Sequence, residues 1–129
     1  MFLLRFVTAL LGLFGRGRSP AMSFNLLVPR SGYRVARDIA CGPLPRNRLD
    51  LYLPLKLETG APALLFFYGG GFRAGRKSEY RIVGEALASA GIIVGVADYR
   101  IYPQAKFPNF LEDAANAVVK FREEVARSA

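Results

Sequence analysis

The chain has 129 residues, 52% of them hydrophobic, and a formal net charge of +8. This length limits it to one domain, and the apolar content is too high for a disordered chain. The excess positive charge lies in the first 50 residues, where eight arginines oppose Asp38 and Asp50. The basic residues lack the interleaved aromatic side chains of a base-stacking surface, so we expect no nucleic-acid partner.

The first 32 residues are predicted to form an arm that precedes the domain. Residues 1–14 are mostly apolar, and Arg16 and Arg18 follow them. A helix over this segment would be about 21 Å long, shorter than the roughly 30 Å hydrocarbon core of a bilayer, so it should not span a membrane. A signal peptide, a helix on a membrane surface through residues 1–18, and a loosely packed leader all stay open, and the cellular location with them.

Residues 33–129 show the pattern of an α/β domain. Residues 34–40 and 48–53 alternate polar with apolar side chains, which predicts two half-buried strands. The glycine and prolines between them predict an antiparallel hairpin at a sheet edge. Residues 64–68 and 92–97 are continuously apolar, which is typical of central strands covered by helices on both faces.

Two helices are predicted to complete the pattern. Residues 78–90 carry apolar side chains at helical spacing, with Ser78 as the candidate cap and Gly91 placed to end the helix. A second helix is predicted from about residue 109 to residue 126. The order strand, helix, strand predicts a right-handed crossover between parallel strands.

The first of the apolar strands ends in Tyr68, Gly69, Gly70 and Gly71. Glycines have no Cβ to block the approach of a ligand to the backbone N–H groups, so such a turn is suited to bind an anion. Neither nucleotide-binding fingerprint fits, because no Gly-Lys-Ser/Thr sequence follows and Ala74 occupies the last glycine position of the dinucleotide pattern. A plain strand-to-helix turn is the alternative.

A later pair of motifs makes the glycine turn more specific. The sequence Asp-Tyr-Arg stands at 98–100, and a Phe-Pro to Glu-Asp segment at 107–113. Together with the glycine turn, this order resembles the carboxylesterase and lipase branch of the α/β-hydrolase fold, which includes the hormone-sensitive-lipase-like family. The resemblance covers about residues 33 to 125. It implies the N-terminal half of a hydrolase sheet, truncated before the strand that leads to the nucleophile, a carboxylic ester as substrate, and no cofactor.

The resemblance also assigns roles to individual residues. In that family the glycine motif lines the oxyanion hole, which gives this role to the N–H groups of Gly70 and Gly71. A histidine usually stands where this chain has Tyr68. The Asp-Tyr-Arg segment is expected to brace the loop and not to supply the catalytic acid. The positions expected to support the motif are Tyr68, Gly69, Phe72, Asp98, Tyr99, Arg100 and Asp113, the last as an organiser of the loop and the following helix start.

The sequence lacks the other parts of such an active site. It contains no histidine and no Gly-x-Ser-x-Gly elbow, so a Ser-His-Asp triad cannot form within these 129 residues. Ser89 stands in a similar pattern but at the end of a helix, and Cys41 has no histidine to activate it. No cysteine and histidine cluster suggests a metal site.

These observations predict a partial serine hydrolase that is inactive on its own. The alternative is a non-catalytic truncated domain that binds a partner or a membrane. In the resembled family's strand order of 1-2-4-3-5, the strand at 64–68 would pair with a strand absent from this sequence, and its open edge would then favour self-association.

Overall fold

A computed structural model of the chain describes residues 31–128, so all but the last two residues of the predicted N-terminal arm lie outside the described residues. The strands and helices are β1 (Tyr33–Ala40), β2 (Arg48–Pro54), β3 (Ala63–Phe67), α1 (Arg81–Ser89), β4 (Ile93–Ala97) and α2 (Asn109–Ser128). A short 3₁₀ helix, Lys77–Tyr80, leads into α1. None of the helices within residues 31–128 is both long and apolar enough to cross a bilayer.

The four strands form one mixed sheet in the order β1-β2-β4-β3. β2 is antiparallel to both β1 and β4, whereas β3 and β4 are parallel and are joined through α1. The predicted α/β fold is confirmed, with its hairpin followed by a strand, helix, strand, helix sequence. The predicted order of the first four strands is also confirmed, and it leaves β3 at one edge of the described sheet.

The second strand differs from the prediction of a half-buried strand. All of β2 after Arg48 is buried, because β2 lies between β1 and β4 and both helices contact it. Asp50, which created the polar alternation, is buried and lies 2.8 Å from the ammonium group of Lys77. The alternation therefore reflects a paired charge inside the protein and not a face exposed to water.

The two continuously apolar strands have different environments. β4 is buried along its whole length, as predicted for a central strand. In β3, by contrast, Ala63 and Leu64 are exposed and the next three residues are only partly buried. The expectation that both strands are covered is therefore wrong for β3, since no further strand pairs with it among residues 31–128.

The core has two layers, one on each face of the sheet. Gly95 in β4 allows α2 to approach closely, because a Cβ there would lie 2.7 Å from the ring of Phe121. The two helices therefore cover opposite faces and fix the sheet between them. Against α2 pack Leu49, Leu51, Leu53, Ile93 and Ala97 with Ala117 and Phe121, and against α1 pack Tyr52, Val94 and Val96 with Ala88.

The end of α1 agrees with its sequence signal, whereas its start does not. Gly91 has a φ of 93°, its N–H donates to the Ala88 carbonyl at 3.0 Å, and the N–H of Ile92 donates to the Leu87 carbonyl at 3.1 Å. This is the hydrogen-bond pattern of a glycine-terminated helix, so the predicted stop is confirmed. Ser78 lies inside the 3₁₀ helix, and the N-cap of α1 is Tyr80.

Candidate functional site

The three glycines open a loop, residues 69–75, that follows Tyr68 at the carboxyl end of β3; we call it the glycine loop. Gly70 and Gly71 have φ values of 141° and 60°, and Phe72 has a φ of 58°. A Cβ on Gly70 would lie well inside van der Waals contact with the carbonyl oxygen of Ala74. Gly70 is therefore required both by its backbone conformation and by the closeness of the loop's own backbone.

The hydrogen bonds of the glycine loop use its carbonyl groups. The carbonyl of Gly70 accepts from the N–H of Arg73 at 3.1 Å, and that of Phe72 accepts from the N–H of Tyr102 at 2.7 Å. The N–H groups of Gly70 and Gly71 donate to no acceptor within residues 31–128, and both residues are exposed. The loop is thus closed in a way that leaves two neighbouring amides available to a ligand.

Tyr68 anchors the start of the glycine loop. Its buried ring lies between the rings of Tyr80 and Tyr99, at centroid distances of 5.2 and 4.9 Å. Its hydroxyl donates to a carboxylate oxygen of Asp98, and its carbonyl accepts from the Tyr99 hydroxyl at 2.6 Å. Burial and the bond to Asp98 raise the pKa of Tyr68 far above its ordinary value, so the phenol remains protonated and donates this bond.

Arg46, which the sequence reading missed, connects the two ends of the glycine loop. Its Nη2 donates to the Tyr68 hydroxyl at 3.0 Å and to the Gly75 carbonyl at 2.6 Å. Its Nε donates to the Tyr99 carbonyl at 2.8 Å. A planar guanidinium suits this task, because its N–H groups point in fixed directions. The residue lies in the connection before β2, where no motif or periodicity marks it.

Asp98 follows β4 directly and joins three parts of the fold. Besides the bond from Tyr68, its Oδ1 accepts from the N–H of Lys77 at 2.7 Å, and it lies 3.8 Å from the Arg46 guanidinium. The carboxylate therefore links the ends of β3 and β4 to the segment that begins the 3₁₀ helix. All three of these contacts are made to Oδ1.

Arg100 and Asp113 connect the next segment to α2. Asp113 is buried and accepts from the main-chain N–H of Arg100 at 2.8 Å and from its guanidinium at 2.9 Å. Burial raises the pKa of the Asp113 carboxyl, but the hydrogen bonds from Arg100 and Asn47 outweigh this and hold the pKa below its ordinary value. Asp113 lies one turn inside α2. At the start of this helix, the side-chain oxygen of Asn109 accepts from the main-chain N–H of Lys106.

Phe72 contacts both Tyr99, which lies beneath the glycine loop, and Phe110 in α2. Its ring is half exposed, stacks on Phe110 at 4.5 Å, and meets the edge of Tyr99 at 5.7 Å. The structure thus gathers nearly all of the sequence-predicted positions into one assembly around the glycine loop, with the Arg100 and Asp113 pair on its α2 side.

A second feature that the sequence reading missed is a group of charged side chains centred on Lys77. Lys77 is buried, and its ammonium group contacts Asp38 at 2.6 Å and Asp50 at 2.8 Å. Burial lowers the pKa of Lys77, but the two carboxylates outweigh it and raise the pKa above its ordinary value. The signal that could have revealed this cluster was a single acidic residue inside the apolar strand β2.

The other candidates have structural surroundings. The hydroxyl of Ser89 donates to the Ser31 carbonyl at 2.9 Å, at the far end of α1. Cys41 is partly buried, and burial raises the pKa of its thiol. Across residues 31–128, no three histidine, cysteine or acidic side chains are grouped so that they could hold a metal ion.

The mixed sheet and the glycine loop define the chain as part of an α/β hydrolase of the carboxylesterase type. Residues 49–127 match the family model BD-FAE, and the chain belongs to this family. It is 37% identical over 102 residues to a probable isoprenylcysteine alpha-carbonyl methylesterase ICME of Oryza sativa subsp. japonica, covering 72% of this chain and 25% of that protein. It is 39% identical over 85 residues to the isoprenylcysteine alpha-carbonyl methylesterase ICME of Arabidopsis thaliana, covering 66% of this chain and 20% of that protein.

Solved structures show the same fold. Esterase B from Lactobacillus rhamnosis has a TM-score of 0.67 at 20% identity, over 76% of this chain and 32% of that one. A truncated carbohydrate esterase from gut microbiota has a TM-score of 0.69 at 24% identity, over 78% of this chain and 37% of that one. The chain spans about a quarter of the length of the curated relatives that it matches.

The glycine loop predicts different costs for two neighbouring substitutions. Gly70→Ala should lower the free energy of unfolding by about 1–3 kcal/mol, since it places a side chain at a positive φ and against the Ala74 carbonyl. Gly69→Ala is the matched control, because open space surrounds that position, and it should cost little. Urea denaturation measures both. Equal stability of the two variants would show that the loop has another conformation.

The pair of Asp113 and Arg100 predicts a loss of stability in acid. The folded-state pKa of Asp113 is depressed, so its contribution is complete above the ordinary value near 3.8 and is lost as the pH falls through the lower folded value. Asp113→Asn should therefore be less stable by about 1–3 kcal/mol at neutral pH and should lose less stability between about pH 4 and pH 2.

Glu112→Gln is the control for this substitution. Glu112 is exposed and lies 3.5 Å from the same guanidinium, so its replacement should leave stability nearly unchanged at neutral pH. Denaturant titrations at several pH values measure these differences. An Asp113→Asn variant with the same acid dependence as the original chain would contradict the assignment.

Proposed function

We propose that this sequence supplies the oxyanion-binding part of a serine hydrolase that cleaves carboxylic esters. The observation that carries the proposal is that the amides of Gly70 and Gly71 are exposed and make no hydrogen bond within residues 31–128, in a loop that Arg46, Tyr68 and Asp98 anchor. When a nucleophile attacks an ester carbonyl, negative charge develops on the carbonyl oxygen. A fixed donor at that oxygen lowers the barrier by about 3–4 kcal/mol.

The anchoring of the loop supports this role. A donor stabilises a transition state best when it is already oriented, because no free energy is then spent on rearrangement during the reaction. Arg46, Tyr68 and Asp98 hold both ends of the glycine loop through hydrogen bonds that do not use the amides of Gly70 and Gly71. The amides cannot titrate, so their donor strength does not depend on pH.

The nucleophile, the acid and the base have no candidates in these 129 residues. The sequence has no histidine and no Gly-x-Ser-x-Gly elbow, so the triad chemistry of the proposed enzyme requires residues from outside it. We take residues 33–129 as part of a hydrolase domain and residues 1–32 as an arm that precedes it. The relatives named as methylesterases, and the phosphonate-inhibited form of Esterase B, support an ester as substrate.

The purified 129-residue chain should show no esterase activity above the buffer control. Hydrolysis of p-nitrophenyl acetate is the measurement, and the Gly70→Ala variant is the matched preparation. Turnover by the original chain that the variant loses would contradict the proposal, because the chain would then carry a complete active site.

A chimera tests the positive half of the proposal. Residues 49–127 replace the equivalent segment of the Arabidopsis relative, which supplies the remaining parts of a hydrolase. In this chimera Gly70→Ala should lower kcat by up to about 10²–10³ fold, the range for one oxyanion donor, because the positive φ and the clash with the Ala74 carbonyl displace the amide of residue 70, while Gly69→Ala should retain most activity. An active chimera in which both variants keep full kcat would overturn the oxyanion assignment.

A second candidate function is binding of another polypeptide through the edge of β3. This edge is unpaired in the described sheet, and Ala63 and Leu64 are exposed on it. An apolar edge strand presents unpaired backbone groups that can add a strand from another chain. On this interpretation the chain acts as a binding module, and a second copy is the simplest partner.

Leu64→Lys should reduce self-association, because a lysine on an edge strand disfavours pairing with another strand. Leu55→Lys is the control, since Leu55 is 65% exposed but lies beyond β2, away from this edge. Size-exclusion chromatography with light scattering compares the three proteins. An original chain that stays monomeric at high concentration would rule out self-association through this edge.

A further inference from the structure

A polar cluster lies between α1 and β2. It consists of Tyr52 from β2 with Arg81 and Glu85 from α1, and we call it the Glu85 cluster. None of its side chains takes part in the hydrogen bonds described above for the glycine loop. Its residues belong to none of the sequence motifs that pointed to the hydrolase family.

The members of the Glu85 cluster are packed closely together. Arg81 Nη2 donates to Glu85 Oε1 at 2.8 Å, one helical turn away. Tyr52 is fully buried, Glu85 is 1% exposed, and the Tyr52 ring lies against the backbone of α1 at Gly84, where a Cβ would overlap it. The hydroxyl of Tyr52 and the carboxylate of Glu85 therefore share one interface between helix and sheet.

Three atoms of the cluster are buried without a partner. Tyr52 OH, Arg81 Nε and Glu85 Oε2 make no hydrogen bond to any group within residues 31–128. They comprise one N–H donor, one carboxylate acceptor and one hydroxyl that can act as either. Buried polar groups that lack protein partners are usually satisfied by an ordered water, which typically makes about three hydrogen bonds.

We propose that one internal water molecule binds in the Glu85 cluster and joins these three atoms. It accepts a hydrogen bond from Arg81 Nε and from the Tyr52 hydroxyl, and it donates one to Glu85 Oε2. The water thereby connects β2 to α1, the helix that follows the glycine loop.

The chemistry of the cluster favours water over an ion. The guanidinium of Arg81 repels a cation and the carboxylate of Glu85 repels an anion, and Arg37 and Asp50, which also act on Tyr52, are themselves paired at 3.5 Å, so the site has no net charge. Burial, and after it the neighbouring acidic groups, raise the pKa of Tyr52 to about 12, so its hydroxyl remains a donor at neutral pH. A neutral ligand that both donates and accepts is required, and water is the smallest.

A high-resolution crystal structure of the chain tests the proposal. The expected result is electron density for one water at about 2.7–3.2 Å from all three atoms. In solution, NMR should show cross-peaks between a long-lived water and the protons of Tyr52 or Arg81. Direct hydrogen bonds among the three atoms, direct bonds from Tyr33 to Glu85 and from Arg37 to Tyr52 that leave no room for water, or an empty space between the atoms would overturn the proposal.

A pair of double variants sharpens the solution test. Arg81→Met with Glu85→Met removes two of the three partners, so the water cross-peaks should disappear completely. Glu123→Met with Arg127→Met is the control, because that pair has the same spacing of four residues and lies exposed on α2, 3.8 Å apart, so the cross-peaks should persist. Cross-peaks that survive the first double variant would contradict the proposed site. If that variant does not fold, the two measurements on the original chain decide.

Discussion

A loop in which the amides of Gly70 and Gly71 make no hydrogen bond within residues 31–128 has to be held by other contacts, and in this protein the carboxylate of Asp98 is at the centre of them. It accepts from the Tyr68 hydroxyl and from the N–H of Lys77, and the guanidinium of Arg46 lies beside it. Parallel strands place their carboxyl ends at the same edge of a sheet, so Asp98 after β4 can support the glycine loop after β3. Without this support, the positive φ values of the loop would have little to maintain them.

The same arrangement explains why this support is polar while the two layers on the faces of the sheet are mainly apolar. A buried carboxylate is tolerated only when it is paired and hydrogen-bonded; Asp50 and Asp113 are buried, Asp98 is partly buried, and each has a basic partner nearby. Asp98 lies at the end of β4, whereas Asp50 lies within β2 and Asp113 within α2. They fix the positions of segments that the hydrophobic layers against α1 and α2 do not reach.

Much of the fold could be predicted from the sequence because the relevant signals are local. Apolar runs marked β3 and β4, Gly91 marked the end of α1, and the three glycines marked the loop. The burial of β2 could not be predicted, because Asp50 is neutralised by Lys77, which is 27 residues away. Arg46 gave no signal, because it binds two carbonyl groups and a hydroxyl, and nothing in its own neighbourhood requires an arginine.

Hydrogen exchange of individual amides, followed by NMR, tests whether the glycine loop is held through its carbonyl groups and by Arg46, Tyr68 and Asp98. In that arrangement the amides of Gly70 and Gly71 stay free. The account predicts that the amides of Gly70 and Gly71 exchange at nearly unprotected rates, whereas those of Lys77 and Tyr102 are protected by their bonds to Asp98 and Phe72. Protected amides at Gly70 and Gly71, or an unprotected amide at Lys77, would contradict it.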